Sequence, residues 1–466
     1  MKRVARFMAA IAIAMCCTPL ATRAVDAMSQ KPGVLPQFPP GYPGNVPPNL
    51  KGRPLSMISP AIAVQACKTV DATQMMADVS ALVACGTRHV LSDTTSSTHG
   101  IGAARRYIYR RMQDAARGSG GRMTVAYQPF SVGVPLAKGG AVRPARLVNV
   151  VATMRGTDPA CKRIYVIGGH YDSRGTDLAD STGDAPGADD DASGVAVVLE
   201  ACRQLASVRV PATIVCVAFA GEEQGLLGSD YFAKRAKAAG WSIDGMWAND
   251  IVGATQNPRG VADSTHIRLF SAEPAASPSR ELARYTLRAS AGLSKDVAIR
   301  LVARPDRYGR GSDHLSFNAQ GYAAVRFCEP IEDYRHEHQT PRDEAGEHYG
   351  DDLAFVNPAF LASVARMNIG TVVDLAAAAA PVDSAIVRGI VEPDVHVTWW
   401  APADPSRQGF KVLRRATTAA NWQEEFWVGE RTEITIPGVT VDDNEWAVVA
   451  VGQDAESHAV PCRIVR

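Results

Sequence analysis

Residues 212–223 read ATIVCVAFAGEE, an unbroken apolar run of strand length that ends in a glycine and two glutamates. A strand apolar on both faces is stable only where both faces are covered, as in a parallel sheet between helical layers. The surrounding sequence keeps to that plan. RLVNVVATM (146–154), RIYVIGGHYDS (163–173) and IDGMWANDIVG (243–253) read as strands, and AAVRFCE (323–329) as a later short one. SGVAVVLEACRQLA (193–206), GSDYFAKRAKAAG (228–240) and the closing NPAFLASVARMNIGTVVDLAAAAAP (357–381) read as helices. Alternation of this kind predicts an α/β fold with a mixed, largely parallel central sheet.

The pattern does not fill the chain. At 466 residues the protein is too long for one ordinary domain. After Pro381 come HVTWWAP, GFKVLRR, EFWVG, TEITIPGV and EWAVVAV, short strands between turn residues. They predict a small all-β sandwich over 382–466, and the strands VTWWAP and WAVVAV resemble those of a fibronectin type III domain. Residues 58–116 read as helical. GIGAARRYIYRRMQDAARG begins with a GxG, but no strand precedes it and the third glycine is missing, so it is not a dinucleotide loop. The catalytic-type domain is therefore expected over 58–381.

The N-terminus reads as an export signal over 1–27. Lys2, Arg3 and Arg6 precede the short apolar run FMAAIAIAMCC, and Ala24 or Val25-Asp26-Ala27 offers a small-residue cleavage site. Residues 28–57, rich in Pro and Gly, suit a linker or a surface-hugging arm. The expected location is periplasmic or secreted. A formal net charge of +1 gives no sign of a nucleic-acid surface, and no later apolar run suits stable membrane insertion. Seven cysteines would remain after cleavage, an odd number. Cys67 with Cys85 is the expected disulfide, while Cys202 and Cys216 fall in apolar runs and read as buried thiols.

Several apolar runs of the α/β region end in metal-capable side chains. His170 and Asp172 close one, Glu222 and Glu223 another, and Asp250 a third. GADDDASG (187–194) adds three consecutive carboxylates. Open α/β sheets build their sites at the carboxyl ends of strands, so four segments can deliver ligands to one crevice. Two other site chemistries fit the sequence less well. Asp189, Asp191, Ser193, Gly194 and Glu200 fit positions of a calcium EF-hand loop, but Pro186 and Gly187 deny it an entering helix and Val197 cannot ligate. A serine hydrolase is disfavoured because the G-x-S-x-G elbow is absent from the chain.

GGHYDS, PGADDDASGVAVVLE, FAGEEQGLLGS, NDIVG, GSDHLSF and HQTPRD occur in the order and spacing of the secreted co-catalytic zinc aminopeptidases, metallopeptidase family 28, over roughly residues 58–380. The chain resembles that family, which also includes glutamate carboxypeptidase-like enzymes. The resemblance implies a three-layer α/β/α zinc-peptidase fold and two Zn²⁺. It implies His170 and Asp250 on one zinc, Glu223 and His338 on the other, and Asp190 bridging them through a loop with a cis Asp190–Asp191 bond. It implies Asp172 as the acid that orients His170 and Glu222 as general base. His336 and His314 compete with His338 for the last ligand position. Where many family members have Tyr before that histidine, this chain has Glu337, so Tyr322 in NAQGY is the candidate for the oxyanion-stabilising hydroxyl.

The chemistry suits these residue types. Two metals about 3.5–4 Å apart acidify a shared water and polarise a carbonyl, and mixed His/carboxylate shells favour Zn²⁺. A glutamate kept off the metals can then carry protons. The expected substrate is a peptide, cleaved from its amino end; a carboxypeptidase or dipeptidase of the same fold is the alternative, with Arg307 and Arg310 as candidate carboxylate binders. A secreted binding protein without activity is a further alternative. The C-terminal domain is the candidate for contact with a surface or partner.

Overall fold

The structure, a computed structural model, describes residues 50–58, 61–137 and 139–465. The export signal and most of the Pro-rich segment lie outside the described residues. A two-residue strand, β1 (Arg53–Pro54), opens the described chain and is followed by helices α1 (Ala61–Ala66), α2 (Ala72–Val83) and α3 (Gly100–Arg117). A long hairpin follows, β2 (Met123–Pro135) and β3 (Val142–Met154). Then come β4 (Arg163–His170), α4 (Gly194–Leu205), β5 (Thr213–Phe219), α5 (Leu227–Ala238) and β6 (Ser242–Asn249). The domain continues through β7 (His266–Ser271), α6 (Pro278–Ser290), β8 (Ala298–Val302), α7 (His314–Ala319) and β9 (Ala324–Cys328). A small hairpin, β10 (Arg342–Glu344) and β11 (Glu347–Tyr349), precedes α8 (Pro358–Ala377).

These strands form one eight-stranded mixed sheet in the order β2-β3-β5-β4-β6-β9-β7-β8. Its centre, β5-β4-β6-β9, is parallel throughout. The two-sided apolar runs are explained by the core. Tyr165 and Ile167 of β4, Ile214 and Cys216 of β5 and Trp247 of β6 pack with α4, α6 and α8. Val166, Val215, Val217 and Met246 point the other way and pack with Phe232 of α5 and Phe317 of α7. Period-two alternation therefore loads both faces, and the sheet becomes the middle of three layers. Trp247 is fully buried, and its indole N–H donates to Thr286 on α6 at 2.9 Å. α8 starts where Asn357 caps the N–H groups of Ala359 and Phe360 beside Pro358. It is long and apolar enough to cross a membrane, but 89% of it is buried in the core.

The C-terminal region is a second, all-β body. Strands β12 (Ser384–Arg388), β13 (Val395–Trp400), β14 (Arg407–Ala416), β15 (Glu424–Gly429), β16 (Glu433–Ile436), β17 (Asn444–Gly452), β18 (Val460–Pro461) and β19 (Arg463–Ile464) make two sheets, ordered β16-β13-β12-β19 and β1-β15-β14-β17-β18. Val397 and Trp399 from one sheet meet Phe410, Phe426 and Trp446 from the other in a single core. Arg53 and Pro54, from the segment read as an arm, pair with Glu425 and Glu424 at the edge of this sandwich. Polar contacts fasten the sandwich to α6: Trp422 Nε1 donates to Glu281 at 2.8 Å, Arg284 Nε donates to the Ala420 carbonyl at 2.8 Å, and Arg288 pairs with Glu456.

The expected Cys67–Cys85 disulfide is corrected by the structure, in which both thiols are free. Cys67, at the end of α1, turns its Sγ to the Arg366 carbonyl of α8, whereas Cys85 turns its own back to the Ala81 carbonyl. Cys202 and Cys216 are buried between α4 and β5, as their apolar surroundings predict.

Candidate metal centre

The chemistry-bearing residues gather at the carboxyl edge of the four parallel strands. His170 is the last residue of β4, and Asp250 follows β6 directly. Glu222 and Glu223 follow β5 after the turn at Gly221, whose φ of 84° lies in the left-handed region that glycine tolerates. His338 arrives from the long loop after β9.

GADDDASG is a fixed loop in which each aspartate points a different way. Over 188–193 the chain makes one wide, distorted helical turn, broken at Asp190 and Asp191, before entering α4, and the Asp190–Asp191 peptide is cis. Asp189 accepts the N–H groups of Gly253 (2.6 Å) and Ala254 (3.1 Å). Asp191 accepts the N–H groups of His170 (3.0 Å) and Gly194 (2.9 Å). Asp190 alone turns into the crevice, with Oδ1 3.1 Å from His170 Nε2 and Oδ2 2.9 Å from His338 Nε2. Gly169 and Gly194 are required by close packing: a Cβ on Gly194 would lie 2.3 Å from the Asn249 carbonyl, and one on Gly169 2.9 Å from the Gly194 backbone.

Two partners far away in sequence hold the loop. Asp351 accepts the N–H groups of Asp189 (2.8 Å) and Asp190 (2.7 Å). Arg88, fully buried, donates to the carbonyls of Tyr171 and Gly187, each at 2.8 Å.

Two triads of metal-capable atoms result, His170/Asp190/Asp250 and Asp190/Glu223/His338, and they share Asp190. Asp250 Oδ1 lies 3.9 Å from His170 Nε2, and Glu223 Oε2 lies 3.1 Å from His338 Nε2. The donor set is two imidazoles and three carboxylates, which suits Zn²⁺. His170 Nε2 and Glu223 Oε1 are buried without a hydrogen-bond partner, and buried lone pairs of this kind are ordinarily satisfied. The residues present therefore fit a pair of cations.

The electrostatics agree. Burial opposes charge on His338, yet Glu223 and Asp190 hold its imidazole up to about 10. Burial likewise opposes charge on His170, but Asp172 and Asp190 raise it well above the ordinary range. Burial works against ionised Asp190, which His338 and His170 nevertheless hold well below the usual carboxylate range. Both imidazoles thus hold a proton more tightly than a free histidine does when no cation replaces it. A cation must displace those protons, so zinc affinity rises with pH, by roughly tenfold per pH unit for each proton released. Zinc titrations at pH 6 and pH 8 should show affinity at least tenfold higher at pH 8, with protons released into the buffer; a pH-independent affinity would contradict this account.

Asp172 sits beneath the centre and is fully buried. Burial opposes its ionisation, but His170 and the N–H groups of Gly221 and Glu223 hold its carboxyl below the ordinary range. Its carboxylate accepts the Gly221 N–H at 2.7 Å, while its main-chain carbonyl lies 3.1 Å from His170 Nδ1, so Asp172 ties the β4 histidine to the turn carrying the two glutamates. Glu222 makes no protein hydrogen bond through its side chain among those described. Burial raises its carboxyl well above the ordinary range; His170 counters this, and Asp250, Glu223 and Asp313 reinforce it.

Among the three candidate histidines only His338 reaches the triads. His314 Nε2 lies 2.8 Å from the Pro305 carbonyl, and burial lowers its imidazole to about 4. His336 stacks on Phe355 with ring centroids 3.5 Å apart. Tyr322 is a correction. It precedes β9, which puts it at the opposite edge of the sheet, where its hydroxyl donates to the Trp241 carbonyl just ahead of β6. It therefore belongs to the packing of α7 and not to the crevice. Arg307 and Arg310 are also not free, since both pair with Glu332 at 3.0 and 3.2 Å, and Arg310 with Glu337 at 3.0 Å.

Three further residues neighbour the centre; Asp313 lies inside the GSDHLSF motif, whereas Arg326 and Arg174 have no local sequence signal. Arg326, fully buried on β9, pairs with Asp250 (2.9 Å) and Asp306 (3.0 Å) and so fixes the Asp250 carboxylate. Asp313, one residue before His314, is buried with its carboxyl pushed up to about 7. Arg174 donates to Glu223 at 3.0 Å and lies 2.7 Å from His338 Nδ1. It meets the far ring nitrogen of His338, whose Nε2 faces the triad, and leaves Glu223 Oε1 without a partner.

A profile of peptidase family M28 matches residues 149–371, the segment that carries the candidate ligands His170 through His338. A Leptosphaeria maculans protein described as a probable zinc metalloprotease is 38% identical over 406 residues, covering 82% of this chain and 92% of that one. A Pyricularia oryzae protein with the same description is 39% identical over 411 residues, covering 82% and 80%. Among solved structures, LapB from Legionella pneumophila superposes with a TM-score of 0.51 at 19% identity, covering 70% of this chain and 78% of that one. The LapA aminopeptidase of the same organism gives 0.50 at 20%, covering 68% and 74%. At such identities these two speak for the fold, and they agree with the three-layer sheet described above. With the relatives' identity and coverage added to the profile match, the chain belongs to peptidase family M28.

Proposed function

We propose that the protein is a di-zinc aminopeptidase that removes amino-terminal residues from peptides. The observation that carries this reading is the sharing of Asp190 between two triads, each completed by one histidine and one further carboxylate. His170, Asp190 and Asp250 would hold one zinc, and Asp190, Glu223 and His338 the other. Zinc bound there supplies a Lewis acid for the scissile carbonyl and acidifies a water for attack.

The remaining steps belong to the chain. Glu222, next to a ligand but in neither triad, takes the proton of the attacking water as the new C–O bond forms. It returns that proton to the leaving amine as the C–N bond breaks, so water is consumed and its proton ends on the amine. The environment that raises its carboxyl helps it hold the proton between these steps. The main-chain carbonyl of Asp172 fixes the ring of His170, and Arg326 fixes the carboxylate of Asp250.

A carboxypeptidase or dipeptidase is the second reading. Its support is Arg174, half-buried against Glu223, the nearest cation to the centre that a substrate carboxylate could approach. The aminopeptidase reading is preferred because Arg307 and Arg310 are already neutralised. We read the chain as exported, on its N-terminal signal, and the sandwich as fibronectin type III-like, a reading supported by the sheet order β16-β13-β12 against β15-β14-β17-β18.

A peptide set with free and blocked ends tests the assignment. Peptides with a free amine and a blocked carboxyl should be cleaved one residue at a time, and a chelator should abolish the activity until zinc is restored. Cleavage confined to N-blocked, C-free peptides would replace the aminopeptidase by the carboxypeptidase.

A further inference from the structure

The free end of the β2–β3 hairpin carries a groove that the metal centre does not use. β3 pairs with β5 only over Val150–Met154, so its residues 142–148 run past Phe219, where β5 ends. The hairpin therefore rises beyond the same carboxyl edge of the sheet that carries the ligands. Val148 lies in this projecting part, and its carbonyl accepts the Tyr171 hydroxyl at 2.6 Å. Tyr171 follows His170, so a single buried tyrosine links the projecting hairpin to the β4 end of the first triad.

A cavity of about 500 Å³ lies between α3 and the hairpin. Arg105 and Arg106 of α3, Tyr127 of β2, and Arg146 and Val148 of β3 line it, and no carboxylate does. Arg105 and Arg106 are half-buried, and Arg146 is exposed. The ion pairs of α3 are made by Arg111 and Arg117; among the described residues none of the three groove arginines has one. Arg106 is fixed without being neutralised, because its guanidinium donates to the carbonyls of Thr94 (2.9 Å), Thr95 and Ser96. Tyr127 is 41% exposed and stacks on Tyr109 with ring centroids 4.3 Å apart, which holds a further O–H donor in place. Three positive heads around one concavity repel one another. Near the metal centre the chain handles arginines differently: Arg307, Arg310, Arg326 and Arg335 all pair with carboxylates. Donors with no acceptor among them are matched by a ligand that brings carboxylates. β2 is the outermost strand of the sheet, so no strand lies along its outer edge. A peptide extended beside it would place alternate side chains on the face that holds the arginines. A nucleic acid needs a longer basic track than one groove on a chain of net charge +1.

We infer that this groove is a second contact for the substrate, in which Arg105, Arg106 and Arg146 bind the carboxylates of an acidic peptide whose end is held at the triads. That the bound peptide is the one being cleaved rests on the peptidase function proposed above. That the groove takes acidic peptides does not.

Short peptides that share their first residues and carry either glutamates or glutamines farther along test it. The zinc-loaded enzyme should cleave the glutamate series with kcat/KM roughly tenfold higher at low salt, through a lower KM, and the advantage should fade as salt rises. Arg105→Gln combined with Arg146→Gln should bring the ratio close to one. Fluorescence anisotropy of labelled, N-acetylated versions of the same peptides reads binding without turnover. The glutamate peptide should bind roughly tenfold tighter than its glutamine counterpart. The double variant should lose that difference, whereas Arg431→Gln, at an exposed position on the sandwich, should keep it. Equal binding of the two peptides, or a difference that survives in the double variant, would overturn the groove. So would tighter binding of a single-stranded oligonucleotide of the same charge. If the glutamate peptide binds through the arginines but no peptide is cleaved, the groove stands and the peptidase reading falls. If it binds yet both series are cleaved equally well, the groove's part in holding substrate falls.

Discussion

Glu222→Gln abolishes most turnover while leaving the metal content of the protein unchanged. The expected fall in kcat is roughly 10²–10⁴-fold, the usual contribution of one positioned general base. The substitution keeps size and removes only the ability to take up a proton. Glu222 belongs to neither triad, so no ligand is lost. Its backbone N–H still donates to Asp172 at 3.3 Å, which holds the turn in place. Zinc analysis alongside steady-state kinetics separates the outcomes. Near-normal kcat would remove Glu222 from proton transfer, and loss of zinc would make it a ligand.

Asp190→Ala has the opposite signature, because it removes zinc and activity together. Each triad drops from three protein side chains to two, and both lose the same carboxylate. The variant also leaves two histidines facing each other without the anion that now lies 3.1 Å from one and 2.9 Å from the other. Activity should fall below detection, with zinc retained at less than half the wild-type amount after dialysis. Full occupancy would show that Asp190 does not bridge. Asp189→Ala is the informative control. Its carboxylate holds two backbone N–H groups and reaches neither triad, so it should lower stability by about 1–3 kcal/mol.

The residues that sequence analysis could find share one property: each stands at the end of an apolar strand or inside a short motif. His170, Glu222, Glu223 and Asp250 lie at or just beyond strand ends, and the sheet brings them together because β5, β4 and β6 are adjacent and parallel. The layer order was legible for the same reason, since two-sided burial leaves a continuous apolar run. Tyr322 was misplaced because a motif gives distance along the chain and not the edge of the sheet. Two residues ahead of β9 is the edge opposite the ligands. The expected Cys67–Cys85 pair fails because the two thiols, just beyond the ends of α1 and α2, turn toward different carbonyls. Arg88, Arg326 and Asp351 had no signal, because each acts through a partner brought near only by the folded sheet. The chain separation from Asp351 to Asp190 is 161 residues, and from Arg88 to Gly187 it is 99.

The Asp351 contact also sets an order of events during synthesis. When the chain has been made as far as Phe327, His170, Asp190, Glu223 and Asp250 already exist, yet neither His338 nor Asp351 does. The aspartate loop then has two unsatisfied N–H groups where the Asp351 carboxylate will later sit, and one triad lacks its imidazole. Closure waits for the segment leading into α8, the helix that also completes one face of the core. Completion of the second triad is therefore tied to the finished catalytic domain, because His338 and the Asp351 carboxylate both come from the segment that leads into α8.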